Sequence, residues 1–86
     1  MRVVVVFKDN TDTTREVETF LRDFTYQTGH ALESLNPESA AGIDFCRAYD
    51  IVEYPSIIAI SDEGQLQNLW RGVPLPTISE VSYYVQ

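Results

Sequence analysis

The apolar run Ile57-Ile58-Ala59-Ile60, entered through Tyr54-Pro55-Ser56, constrains this chain more than any other stretch. Four apolar residues without alternation read as a strand buried on both faces. A proline cannot donate to a sheet ladder, so Pro55 belongs at the mouth of that strand rather than inside it. The run Val3-Val4-Val5-Val6-Phe7 has the same character and predicts a second central strand. Two such strands in 86 residues leave room for one small α/β domain, residues 1–86.

The remaining elements follow from caps and periodicity. Lys8-Asp9-Asn10-Thr11-Asp12 breaks the first strand. Thr13 and Glu16 have capping-box spacing, with Thr11 as an alternative cap. Val17, Phe20, Leu21 and Phe24 then fall on one helical stripe that ends at Gly29. Ala31 to Leu35 predicts a short edge strand. Asn36 as N-cap and Pro37 at the first helical position predict a second helix reaching Tyr49. Asp62-Glu63-Gly64 is a turn signal inside a hairpin over 56–71. Strict alternation puts Leu66 and Trp70 on one face of its second strand and Leu69 on the other. Thr77 and Glu80 form another capping box, opening a last helix with Ile78, Val81 and Val85 on its apolar face. The predicted order is β-α-β-α-β-β-α. The first two strands are parallel through a right-handed crossover, and the last two are antiparallel.

Charge and cysteine content limit the function classes. Thirteen acidic against six basic side chains give a net charge of −7. That disfavours nucleic acid and anionic membranes, which select basic surfaces; the charge reads first as serving solubility, with a basic protein partner as the sharper alternative. A single cysteine, Cys46, excludes an intrachain disulfide and a Cys-rich zinc site. The first seven residues are too short an apolar segment for a signal peptide or a membrane span. A cytoplasmic, reducing location is expected. No phosphate-binding glycine loop, metal-ligand spacing or nucleophile with an evident base is present, so no cofactor is expected.

Element order and several local motifs resemble the thioredoxin-like superfamily, in the short form closer to glutaredoxins. Asp44 to Ile51, with its Ala48-Tyr49 pair and following Ile51, is similar to the end of that family's second helix. Tyr54-Pro55-Ser56 falls where the family keeps a cis-proline, Asp62-Glu63-Gly64 where it turns its hairpin, and Arg71-Gly72 with Pro74 where its fourth strand closes. The resemblance covers the whole chain and implies a mixed four-stranded sheet of order 2-1-3-4 flanked by helices. It also implies that the residue before the proline, Tyr54, offers its backbone to an extended peptide or thiol substrate.

One departure falls at the decisive place. Where redox members carry Cys-x-x-Cys, this chain has Thr11-Asp12-Thr13-Thr14, so Thr11 and Thr14 stand at the two cysteine positions. A hydroxyl forms no disulfide, and thiol exchange needs a thiolate. Disulfide oxidoreductase activity is not expected. The leading reading is a non-catalytic domain that binds protein or peptide through Thr11, Asp12, Thr13, Thr14, Tyr54, Pro55 and Val73. The alternative is a glutathione-binding, glutaredoxin- or glutathione-transferase-like enzyme without a cysteine nucleophile. A retained structural or oligomerisation module is the third reading. The four residues 11–14 also have a plain helix-capping role. Cys46, between Phe45 and Tyr49 in helical register, reads as a buried small hydrophobe. Trp70 and Arg71 fall on an edge strand, and edges can recruit a partner's strand.

Overall fold

A computed structural model describes residues 1–85 of the protein. Its elements are β1 (Arg2–Val6), α1 (Thr14–Thr28), β2 (Glu33–Leu35), α2 (Ala40–Tyr49), β3 (Ser56–Ile60), β4 (Leu66–Arg71) and α3 (Ile78–Ser82). The strands form one sheet in the order β2-β1-β3-β4. β1 runs parallel to β2, while β3 is antiparallel to both β1 and β4. The two apolar runs therefore lie side by side at the centre, as their lack of alternation predicts. Val4, Val5, Val6, Ile57, Ile58 and Ala59 are fully buried.

Each central strand feeds two cores because its side chains alternate between faces. Val3, Val5, Ile57 and Ala59 pack with Val17 and Phe24 of α1 and Val81 of α3. Val4, Val6, Ile58 and Ile60 pack with Cys46 of α2 and Ile51 on the other side. Cys46 sits in this second core as a small apolar group. Ser56 is the one buried polar side chain among the described residues, and its hydroxyl donates to the Glu53 carbonyl at 2.6 Å.

Local chemistry differs from the sequence expectation in four places. Thr13 precedes α1, but its backbone is already helical (φ −99°, ψ −6°) and its side chain caps nothing, so the box with Glu16 does not form. Thr11 does not cap α1 through its side chain either. Its hydroxyl is drawn into contacts with Thr13 and Thr14 instead. Asn36 does not cap α2. Its side chain accepts from the Glu38 N–H at 2.9 Å and its carbonyl from Ser39, which makes Asn36-Pro37 a separate turn. Ser39 is the N-cap, its hydroxyl accepting from the Gly42 N–H at 3.0 Å. The third difference is that β2 begins only at Glu33, two residues later than Ala31.

The fourth lies in β4, where the pairing shifts from Ala59↔Asn68 to Ile60↔Leu66. One extra β4 residue is accommodated there as a bulge, which breaks strict alternation. Trp70 packs toward α1 and α3 and Leu69 toward α2, while Leu66 is exposed and joins neither core. Two other expectations hold as written. Gly29 closes α1 in the left-handed region (φ 77°), its N–H donating to Thr25 at 2.9 Å. Thr77 and Glu80 form a complete capping box on α3.

Candidate functional site

The carboxyl end of β1, the start of α1 and the loop before β3 meet at one end of the sheet. Lys8, Thr11, Asp12, Thr13 and Tyr54 line a shallow cleft of about 280 Å³ there. Asn10 adopts φ 58°, a turn conformation Asn tolerates better than most residues, and this swings the chain from the strand toward the helix.

The hydroxyls beside the cleft form a chain whose direction can be worked out. Thr14 donates to the Lys8 carbonyl at 2.8 Å, which uses its only hydrogen. It accepts from the Thr11 N–H at 2.9 Å. In the Thr11–Thr14 hydroxyl contact, at 3.0 Å, Thr11 must therefore be the donor. In the Thr11–Thr13 contact, at 3.2 Å, Thr13 must then donate to Thr11. The order Thr13 to Thr11 to Thr14 to Lys8 carbonyl commits all three hydroxyl hydrogens. What remains open on Thr11 and Thr13 is acceptor capacity.

Tyr54 forms the opposite wall. Its peptide bond to Pro55 is cis, and Pro55 itself is buried. Its half-buried ring packs against the α2-side core and carries the Lys8 ammonium 5.4 Å from its centre. Burial pushes the Tyr54 phenol above its ordinary value of 10.0, and the neighbouring Cys46 and Glu38 act in the same direction. Neither the N–H nor the C=O of Tyr54 is bonded to another group among the described residues.

The residues singled out from sequence do not all meet. Thr11, Asp12, Thr13 and Tyr54 share the cleft. Thr14 turns inward to Lys8, and Pro55 lies beneath. Val73 is half exposed on the adjoining loop, outside the cleft lining. That loop is tied to the proline by the Gly72 N–H donating to the Pro55 carbonyl at 2.7 Å, and the Val73–Pro74 bond is also cis. Lys8 is the lining residue the sequence reading left out. Its signal was its place at the carboxyl end of a central strand. Among the described residues no three His, Cys, Asp or Glu side chains gather as a metal site. No helix there is long and apolar enough to cross a membrane.

The fold has a counterpart among solved structures. Thioredoxin 1 from the thermophilic eubacterium Thermosipho africanus TCF52B superposes with a TM-score of 0.68, covering 99% of this chain and 90% of that one. The fold is thioredoxin-like. Sequence identity is 12%, so the likeness concerns the fold. No family model and no curated protein matches the chain. In this thioredoxin-like frame, Thr11 and Thr14 occupy the start of the first helix and Tyr54-Pro55 the loop facing it.

Proposed function

We propose that this chain is a non-catalytic thioredoxin-like domain that binds a protein or peptide segment in extended form. The segment crosses the cleft lined by Thr11, Asp12, Thr13 and Tyr54, with Pro55 and Val73 in the adjoining loops. The observation that carries this reading is the backbone of Tyr54, whose N–H and C=O are both without a partner among the described residues. An extended chain laid against it gains a donor and an acceptor at once, as in strand addition. The committed hydroxyl hydrogens support binding over thiol chemistry. With none free to donate, Thr11 and Thr13 offer nothing to stabilise a thiolate, which weakens the glutathione alternative. A net charge of −7 favours a basic segment over nucleic acid or a membrane surface as the partner.

The test is an amide-resolved NMR titration with two extended peptides, one lysine-rich and one glutamate-rich. Expected are shifts at Thr11, Thr13, Tyr54 and Val73 with the basic peptide, weakening as salt is raised. Shifts confined to β2 and α2 would remove the proposed surface. Heat released on titrating glutathione at millimolar concentration would favour the alternative reading.

A further inference from the structure

β4 is the outer strand of the sheet, and its free edge is a place where another strand can add. Which of its backbone groups face outward follows from pairing. The Gly72 N–H donates to the Pro55 carbonyl, so position 72 faces β3. Antiparallel ladders alternate, so Trp70 and Asn68 also face β3, opposite Ile57 and Ala59. Leu69 and Arg71 therefore direct their N–H and C=O to the open edge.

The outward N–H of Leu69 is nevertheless occupied. It donates to the side-chain Oδ1 of Asn68 at 2.7 Å. An N–H requires an acceptor, so this contact fixes which way the amide points. The Asn68 NH₂ group is left to donate to the Tyr84 hydroxyl at 3.1 Å. Tyr84 is held in turn by edge-on packing of its ring against Trp70, 5.5 Å between centres at 75°. The bulge beside Asn68 bends the same end of the strand.

We infer that Asn68, braced by Tyr84, is an edge lock: it fills the central outward donor of β4 and so prevents a second copy of this chain from adding there. A second copy is the occupant because β4 is complementary to itself. Two β4 strands crossing antiparallel about Leu69 would exchange two N–H to C=O bonds between the Leu69 residues. Leu66–Arg71 carries one charge, Arg71, which falls opposite Gln67, so no like charges meet. Apart from the bulge at its Gln67 end, nothing else in the strand opposes that pairing, whereas edges are commonly guarded by lysine, proline, bulges or inward-pointing charge.

Two measurements test the lock. Hydrogen exchange on the intact chain should show the Leu69 amide at least tenfold more protected than that of Arg71, which faces the same edge without a partner among the described residues. Equal exchange at the two amides would overturn the assignment. In Asn68→Ala at concentrations that keep the chain monomeric, Leu69 should lose that protection while Trp70 keeps its own; at higher concentration the dimer dissociation constant from sedimentation should fall at least tenfold, with Leu69 protected again. Tyr84→Phe should move both quantities in the same direction by less. Unchanged self-association in Asn68→Ala, with Leu69 deprotected and Trp70 still protected, would also overturn the inference.

Discussion

At Tyr54 the environment changes a side chain's chemistry. Its phenol titrates above 10.0 because burial penalises the phenolate. A raised native value means stability that is present below the ordinary value and lost as pH rises through the raised one. A phenolate absorbance titration should therefore contain a step above 10.0 that Tyr54→Phe removes. Thr14 makes a different kind of contribution. Its hydroxyl closes the loop by donating to the Lys8 carbonyl and accepting from the Thr11 N–H. Thr14→Ala should cost about 1–3 kcal/mol in chemical denaturation, with Thr14→Ser recovering most of it. Neither role could be read from residue types. The capping motif at Thr13 and Glu16 is a valid local signal. Here the three threonine hydroxyls bond one another instead, and that competition depends on the Lys8 carbonyl brought in by the strand.

At the scale of elements, the central strands and α3 were legible because their signals are local. Uninterrupted β-branched runs gave the central strands, and Thr77 with Glu80 gave the last helix. The start of α2 was not, because Asn36 and Ser39 are both good caps and the choice is made by packing. Gly42 decides it: a side chain there would overlap the Asn36 carbonyl oxygen, so helix and turn lie backbone to backbone. Gly42→Ala should cost about 3 kcal/mol, since backbone rather than a flexible side chain must move. Denaturant midpoints of the two chains measure it. The ends of elements also hold the acid-sensitive contacts. The Arg2 guanidinium bonded to Glu33 lowers that carboxyl below 4.5, and Thr77 does the same to Glu80. The amino group of Met1 lowers Asp62 below 3.8. Depressed native values give stability that is present above the ordinary ones and lost as pH falls through the depressed ones. Melting temperature should therefore decline as pH drops below about 4.5 and on through the depressed values, and Glu80→Gln should shallow that decline.

For the molecule as a whole, the question is whether the frame still has the geometry of a dithiol site or only its outline. Sequence gave Thr11 and Thr14 as the cysteine positions, and their hydroxyl oxygens lie 3.0 Å apart at the head of α1. Sulfur atoms in a disulfide are about 2.0 Å apart, so two thiols on those positions need only a small approach. The parent chain, with only the buried Cys46, should show no dithiol exchange and only slow reaction of its native thiol with a disulfide reagent. The double variant Thr11→Cys, Thr14→Cys should close a bond under mild oxidation, losing two hydrogens by intact mass and regaining them with a dithiol reductant. Cys46, on the buried face of α2 in the other core, should stay out of the reaction. Closure would mean that two side chains alone separate this frame from a dithiol site, leaving the cis-proline loop and helix start free to serve the proposed binding. A double variant that folds but stays reduced would place the change in the backbone, and Tyr54 would then have to be judged as a recognition residue without support from the redox frame.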